Sequence, residues 1–325
     1  MKKIFYLLLA ICFISGCGKK ITIYVGGYKV VKEKRGQATY WKNGKEVVLT
    51  DGKHSASVQS IYIDDKDIYA AVDERDFKAK YWMNGKFFNL PVDNERSLAL
   101  SIFVTNTDVY IAGIDGFNKP VYWKNNKKVI LPVCSECDGS SSSAIYVSGN
   151  DVYVAGSDGS SYGSRAVYWK NGKAFHLTDN DEYMLKAHSI FVVGSDVHIV
   201  GSGEGQREFF VIKYWKNDRE IDITDGSKPA LGNSVFVSNN DVYIAGYEGD
   251  QAKYWKNGKG IYLSEGTEAN AIFVLGDDVY VAGYSGEPGQ SEKTIAKYWK
   301  NGVAVNLTDG THSAFARSIF VVEEK

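Results

Sequence analysis

Seven Tyr-Trp dipeptides divide this chain of 325 residues into units of 40 to 46 residues. Every tryptophan of the chain belongs to one of these dipeptides, at Trp41, Trp82, Trp123, Trp169, Trp215, Trp255 and Trp299. A sequence period of this length is typical of β-propellers and solenoids, in which each unit packs against its neighbours. The repeat therefore allows the body of the chain to form one domain, although its length alone would suggest two.

The content of a single unit, residues 271–307, favours a propeller. Its short segments are rich in β-branched and aromatic residues, as in Asp-Val-Tyr-Val-Ala at 278–282, and carry no helical apolar period. Each unit also contains a two-residue link of Asn followed by Gly, Asn or Asp, which tolerate positive φ angles and form tight hairpins. These links lie at residues 43–44, 84–85, 125–126, 171–172, 217–218, 257–258 and 301–302. Four short antiparallel strands per unit predict an all-β, seven-bladed β-propeller of four-stranded blades.

The two ends of the chain support a closed ring. The segment 22–27 matches the second strand of a unit, and the segment 318–321 matches the first strand. Neither end is a complete blade, but together they supply one. An open solenoid would have no use for such a split blade, so we expect the last strand to pair with the first ones.

The first seventeen residues indicate export. Lys2 and Lys3 precede an apolar run at 4–14 that is too short to span a bilayer and is typical of a signal peptide. The following Ile14-Ser15-Gly16-Cys17 resembles the lipobox of bacterial lipoproteins. The resemblance implies cleavage before Cys17 and attachment of diacylglycerol, with palmitate, to this residue. The alternative is an ordinary secretory signal with an incidental Cys.

These segments predict three parts: a signal peptide at 1–16, a lipidated Cys17 with a short tether at 17–20, and a propeller domain at 21–325. The expected location is the cell envelope, anchored to the membrane by the lipid. Gly18 stands where an Asp typically retains lipoproteins at the inner membrane, so the outer membrane or cell surface is favoured.

The propeller keeps two cysteines, Cys134 and Cys137, in a Ser-rich loop. Their C-S-E-C spacing supplies half the ligands of a structural zinc site, and no His follows nearby in the sequence. A redox pair would be expected at a helix N-terminus, which this loop lacks. We expect a local disulfide, with a redox pair or unpaired thiols as the alternatives, and no metal.

The repeat resembles that of bacterial extracellular proteins known for HAF motifs. Here the corresponding segments read Ser-Ile-Phe-Val at 318–321, Asp-Val-Tyr-Ile-Ala-Gly at 241–246 and Tyr-Trp-Lys-Asn-Gly at 254–258, with Tyr in place of the residue usual before Trp. The resemblance covers residues 21–325 and implies an exported, propeller-like protein. It implies no activity.

Charge excludes one class of partner and leaves another open. With 38 basic and 39 acidic residues, the chain has no overall field that would attract nucleic acid. Lysines flank the tight turns on the face from which the Cys17 tether leaves, where they could contact lipid headgroups. Alternatively they only solubilise the turns, partly neutralised by nearby Asp. They include Lys42, Lys45, Lys86, Lys124, Lys170, Lys173, Lys216, Lys256, Lys259 and Lys300.

The opposite face carries the variable loops, of which 201–212 and 283–296 are among the longest, and is the place to expect a ligand. One position in each unit, just before the first strand reaches Ser or Ala followed by Ile, forms a mostly polar ring at the mouth of the central channel. Its members are Gln59, Leu100, Ser143, His188, Asn233, Asn270 and Arg317. We expect a ligand site there; alternatively these residues only hydrate the channel.

Two loops beside the split blade repeat an Asp-Gly-x-His-Ser pattern. They place His54 with Asp51 and His312 with Asp309, a combination that could bind a transition metal or perform acid–base chemistry. Repetition alone also explains it, since Thr224-Asp225-Gly226 recurs without His. We count both histidines as candidate ligand-binding residues and assign no catalytic residue.

The sequence as a whole predicts a non-catalytic binding or scaffold module of the cell envelope. Its partners would be the membrane, through the lipid, and an unknown glycan, peptide or envelope protein, with no nucleic acid and no cofactor. The alternative is an envelope polysaccharide hydrolase or lyase on a propeller scaffold. An enzyme would usually break the repeat with an irregular cluster of reactive side chains, and the Asp and His cluster follows the repeat.

Overall fold

The computed structural model describes residues 19–31, 35–75, 78–93, 96–106, 108–134, 137–160, 163–178, 184–205, 207–286 and 294–324. Cys17 and the predicted signal peptide at 1–16 lie outside these ranges. The described residues form 28 β-strands, arranged as seven four-stranded antiparallel sheets. Within these ranges no helix is long and apolar enough to span a membrane.

Each sheet is one blade, with its strands labelled A to D from the axis outward. Blade 1 consists of β28 (Ala314–Glu324), β1 (Lys20–Val30), β2 (Gly36–Lys42) and β3 (Lys45–Val48). Blade 2 consists of β4 (Ala56–Asp64), β5 (Asp67–Glu74), β6 (Lys80–Met83) and β7 (Lys86–Asn89). Blade 3 consists of β8 (Ser97–Val104), β9 (Val109–Asp115), β10 (Pro120–Lys124) and β11 (Lys127–Ile130). Blade 4 consists of β12 (Ser141–Ser148), β13 (Asp151–Gly159), β14 (Ser164–Lys170) and β15 (Lys173–His176).

The other three blades follow the same order. Blade 5 consists of β16 (Lys186–Val193), β17 (Asp196–Glu204), β18 (Phe210–Lys216) and β19 (Arg219–Asp222). Blade 6 consists of β20 (Ala230–Ser238), β21 (Asp241–Glu248), β22 (Gln251–Lys256) and β23 (Lys259–Tyr262). Blade 7 consists of β24 (Glu268–Leu275), β25 (Asp278–Ser285), β26 (Ile295–Lys300) and β27 (Val303–Asn306).

The ring closes through the split blade, as the sequence predicts. Strand β28 pairs with β1 from Lys20 opposite Glu324 to Lys29 opposite Ala314. The Lys20 Nζ atom lies 2.6 Å from a carboxylate oxygen of Glu324 at the end of this pairing. Strand A of every blade contacts strand A of both neighbouring blades, including β28 with β4 and β24. The seven-bladed, all-β prediction is therefore confirmed.

The tryptophans of the Tyr-Trp repeat pack between neighbouring blades. All seven indoles are buried, at 0 to 7% exposure. Trp123 of blade 3, for example, packs in one cluster with Tyr69, Ala71 and Tyr81 of blade 2. Burial of a large aromatic side chain at each junction removes much apolar surface from water and so stabilises the packing of neighbouring blades.

Candidate ligand-binding site in the axial cup

The inner strand of every blade contains a β-bulge. In β4, for example, the pairing with β5 shifts between Val58 and Ser60, so that Gln59 has no partner residue. A bulge leaves one residue unpaired and can re-aim its side chain. The residues at the seven shifts are Gln59, Leu100, Ser143, His188, Asn233, Asn270 and Arg317. They are the residues of the ring that the sequence places at the channel mouth.

These seven residues together line one cavity of about 280 Å³, which we call the axial cup. The structure thus brings together all seven residues of the predicted ring, whereas the other two candidate ligand-binding residues, His54 and His312, do not line this cavity. Seven strands each contribute one side chain, and these are of six residue types, so the cup is asymmetric although the scaffold that presents it is regular.

Three cup residues use their donor groups to bind the next blade. His188 Nδ1 lies 2.9 Å from the Gly232 carbonyl oxygen, and Asn233 Nδ2 lies 3.0 Å from that of Ala269. Asn270 Nδ2 donates to the Ala316 carbonyl at 2.8 Å. Because a carbonyl only accepts, the proton of a neutral His188 ring is on Nδ1 and Nε2 is left as an acceptor. These bonds fix the side chains before any ligand arrives.

Burial lowers the pKa of His188 from its usual 6.5, and the nearby Lys186 adds to the effect, whereas the bond to Gly232 opposes it. Low solvation disfavours the charged imidazolium. His188 is therefore neutral at pH 7 and contributes a hydrogen-bond acceptor rather than a charge to the cup.

Arg317 is the charged member of the ring. Its guanidinium lies 5.4 Å from the centre of the Tyr28 ring, which stacks on Phe315 at 4.8 Å. Tyr28 comes from β1 and Phe315 from β28, so this corner exists only because the split blade closes. A guanidinium over an aromatic face is held in place while its donors stay available to a carboxylate or phosphate.

A second cavity of about 350 Å³, the side pocket, adjoins the cup. It shares Gln59 and Arg317 with the cup and is also lined by Tyr28, Phe315 and Arg75. The Arg317 side chain therefore lies where the two cavities adjoin.

The floor beneath the cup is rigid. A serine that follows the bulged residue accepts the backbone N–H of the next blade's inner strand in five junctions, at 3.0 to 3.3 Å. The acceptors are Ser318, Ser60, Ser101, Ser189 and Ser234. Two residues further along, seven aromatic rings form a closed collar with neighbouring centroids 4.7 to 5.0 Å apart. They are Tyr62, Phe103, Tyr146, Phe191, Phe236, Phe273 and Phe320.

The two predicted loop histidines lie apart from the cup. His54 and His312 are exposed, and His312 lines a different cavity of about 460 Å³ together with Lys29 and Glu46. The Asp51 carboxylate accepts the Lys53 N–H at 2.9 Å, and Asp309 accepts the Thr311 N–H at 2.9 Å. These backbone hydrogen bonds lower the pKa of both aspartates. Each Asp therefore serves the turn of its own loop, which favours repetition of a loop sequence as the reason for the pattern.

The lysines of the Tyr-Trp-Lys segments are paired in five blades. Each Nζ lies 2.7 to 2.9 Å from the carboxylate of the Asp before or at the start of strand B in the same blade. The pairs are Lys124–Asp108, Lys170–Asp151, Lys216–Asp196, Lys256–Asp241 and Lys300–Asp278. The aspartates offset the lysine charges, which favours the interpretation that these lysines only solubilise the turns. Contact with lipid headgroups stays a prediction.

Cys134 and Cys137 form a disulfide in the structure. Sequence spacing showed no His near this pair, but the fold brings two other side chains to it. The carboxylate of Asp158 from β13 lies beside the sulfur atoms, and His176 Nε2 from β15 lies 3.1 Å from Asp158 Oδ2. Within the described ranges, this is the only place where three His, Cys, Asp or Glu side chains lie close enough to share a metal ion.

No protein-family model and no curated protein matches this chain. Among solved structures, a puromycin-hydrolyzing peptidase from Mycobacterium tuberculosis matches with a TM-score of 0.57 and 8% identity, over 91% of this chain and 52% of the peptidase. This chain therefore spans about half the length of that structure. A structure of YCF48 bound to D1 peptide matches with a TM-score of 0.51 and 11% identity, over 83% of this chain and 93% of that one. At these identities the likeness is one of fold.

Proposed function

We propose that this protein is a non-catalytic binding module of the cell envelope that holds a peptide segment with a carboxylate group in the axial cup and side pocket. The observation that carries the proposal is the ring of seven bulges, which aims unlike side chains into one recess. Fixed acceptors on one part of the wall and the positively charged side chains of Arg317 and Arg75 would orient such a ligand.

Two observations favour a peptide. The recess combines amide-type polar groups with the Tyr28 and Phe315 rings, a mixture that suits a chain of alternating backbone and side-chain groups. The structure of YCF48 with D1 peptide also provides an example of a similar fold with a bound peptide. A glycan or a whole envelope protein is an outcome that the experiment below distinguishes.

Membrane attachment through lipid on Cys17 is part of the same proposal. Lys19 and Lys20 pair with Glu323 and Glu324 at the tight-turn end of the split blade. Cys17 is two residues before Lys19, so an anchor there would leave the cup facing away from the membrane. We expect a Cys17→Ser chain expressed in bacteria to move from the membrane fraction to the soluble fraction. Retention of this variant in the membrane fraction would contradict the anchor.

Selection from a random peptide library, with a glycan array in parallel, tests the ligand class. The wild-type chain should enrich peptides that contain a carboxylate, and Arg317→Ala should bind them about 30-fold more weakly, because a hydrogen bond to a charged group contributes about 2 kcal/mol. Arg219→Ala is the matched control, since Arg219 is exposed on the outer strand β19. No enriched peptide, or equal binding by the Arg317 variant, would overturn the proposal, as would ligands found on the glycan array alone.

A further inference from the structure

The loop between blades 3 and 4 brings two sulfur atoms to a buried carboxylate. Cys134 and Cys137 are half-buried in this loop, and Asp158 near the end of β13 is 2% exposed. One ligand atom from each of the three residues lies within 4.8 Å of the other two.

Four groups surround the Asp158 carboxylate. Oδ1 accepts the Cys134 N–H at 3.2 Å and the Ser140 hydroxyl at 3.1 Å. Oδ2 lies 3.1 Å from His176 Nε2 and 3.7 Å from a terminal nitrogen of Arg165. The carboxylate is therefore fixed from both sides, with an imidazole and a guanidinium behind it.

Blade 3 shows which part of this arrangement is ordinary scaffold. Asp115 accepts the Asp93 N–H at 3.1 Å and the Ser97 hydroxyl at 2.9 Å, and it pairs with Lys128. A carboxylate at this position thus secures the incoming loop in both blades. The scaffold role explains the place of Asp158, but it does not explain the two cysteines in the loop. It also does not explain His176, which contacts Asp158 from the position that Ile130 holds in blade 3.

We propose that, when the disulfide is reduced, Cys134, Cys137 and Asp158 bind a zinc ion, and that His176 supports the carboxylate by hydrogen bonding. Thiolate sulfur and carboxylate oxygen are normal zinc ligands, and a water molecule completes a tetrahedral set. Carboxylates that bind a metal are themselves held by hydrogen bonds from surrounding groups, and His176 would be such a group here. The fold, rather than the spacing along the chain, supplies the third ligand.

Charge supports this set of ligands. Two thiolates and one carboxylate exceed the charge of Zn²⁺ by one, and the Arg165 guanidinium lies next to the carboxylate. Its Nε is buried without a hydrogen-bond partner among the described residues. The local charge then sums to zero, which reduces the cost of holding the ion away from water.

Oxidation state controls the proposed site. A dithiol reductant would give two electrons and two protons to the Cys134–Cys137 bond and become a disulfide itself, leaving two thiols. Zinc binding then displaces the thiol protons to solvent. In the disulfide form the sulfur atoms are bonded to each other, and the site does not bind zinc.

Titration of the full chain with Zn²⁺ tests the proposal, with Co²⁺ as a spectroscopic probe. Cys12 and Cys17 are replaced by Ser in every sample, so that Cys134 and Cys137 are the thiols present. We expect the reduced chain to bind one Zn²⁺ and to show thiolate-to-cobalt absorption, and the oxidised chain to do neither. Asp158→Asn should weaken zinc binding at least about tenfold.

Asp115→Asn is the matched control, because it removes the same loop anchor in a blade without cysteines. Circular dichroism spectra establish that both variants are folded, and Cys137→Ser provides a second test that leaves the anchor intact. Loss of binding in the Asp158 and Cys137 variants, with binding retained in the Asp115 variant, supports the site. Equal zinc affinity in the Asp158 variant and the otherwise unchanged chain, or in the reduced and oxidised forms, overturns it.

Discussion

Asn171, Lys170 and Asp151 illustrate how the repeated residues act at one turn. Asn171 takes a positive φ of 52° and accepts the Val152 N–H at 2.9 Å, while its amide donates to Asp151 at 2.8 Å. Lys170 Nζ lies 2.7 Å from the same carboxylate. The Asp, Lys and Asn of a unit thus bind one another, which leaves them little freedom to recognise anything else.

His198 departs from this repeat. The other six blades have Tyr at the equivalent position. The His198 side chain is buried, and its Nδ1 atom lies 2.6 Å from the Tyr214 hydroxyl. Burial lowers the pKa of His198 below 6.5, and the nearby Lys216 lowers it further. Burial also lowers the pKa of His188 in the cup. Both rings are therefore neutral in the folded chain under conditions in which the unfolded chain begins to protonate them.

This difference predicts a loss of stability in mild acid. As the pH falls below about 6.5, the unfolded chain binds protons on these two histidines that the folded chain does not, and unfolding becomes more favourable. The midpoint of thermal unfolding should therefore be lower at pH 5.5 than at pH 7.5. The aspartates with lowered pKa values act only at still lower pH, since even unfolded Asp titrates near 3.9.

The double variant His188→Asn and His198→Tyr provides the control. It carries residues that other blades use at these positions, as in Asn233 and Tyr243. Its unfolding midpoint should change less between pH 7.5 and 5.5 than that of the wild-type chain. An equal change in both proteins would show that the two histidines do not cause the acid sensitivity.

At the scale of strands, the features that could be predicted are the local ones. The Asn-Gly links and the alternating strands lie within a few residues of each other, so the hairpins and the four-strand blade follow from the sequence directly. The split blade is also visible there, because both chain ends carry recognisable parts of the same repeat. The seven residues that line the cup, such as Gln59, can also be predicted, because they occupy the same position in every repeat.

The bulge itself was missed, although a signal for it exists. In six blades the residue of strand B opposite the bulge is Gly, and a Cβ there would lie 1.8 to 2.0 Å from a carbonyl oxygen of strand A. These residues are Gly27, Gly113, Gly156, Gly201, Gly246 and Gly283. A Gly at a fixed place in a strand indicates a bulge or a close backbone approach. Blade 2 has Val72 at this position, so the Gly is not strictly required.

Side-chain contacts between distant strands and loops could not be predicted from the sequence. The approach of Asp158 and His176 to Cys134 joins residues 24 and 42 positions apart, on three different strands and loops. The separation of His312 from the cup likewise depends on which side of a loop faces the axis. Neither follows from a local pattern, because side-chain direction at a loop is set by the packing of neighbouring blades.

For the whole molecule, ring closure and the proposed site depend on the same contact. Tyr28 near one end of the chain stacks on Phe315 near the other, and Arg317 lies over Tyr28. Pairing of β28 with β1 therefore completes the cup as well as blade 1. The two faces of the propeller also differ. One face carries the ion-paired tight turns, and the other carries the cup with its varied side chains.

Cross-linking of the closure tests the central claim, that the two ends of the chain meet in one blade. Lys20 and Glu324 are register partners in β1 and β28, and partner Cα atoms in such a pair lie about 4.5 to 5.5 Å apart, within the reach of a disulfide. The test chain carries Lys20→Cys and Glu324→Cys, with Cys12, Cys17, Cys134 and Cys137 replaced by Ser, so that the two new cysteines are the only thiols. The single Lys20→Cys chain is the control.

Mild oxidation of the double variant, followed by mass analysis and thermal unfolding, gives the measurement. The closed propeller predicts one intramolecular disulfide in a monomer. It also predicts an unfolding midpoint several degrees higher than after reduction, because closing so long a loop stabilises by on the order of 5 kcal/mol. Cysteines that stay free, or that link only different molecules, would contradict the closed ring and with it the cup.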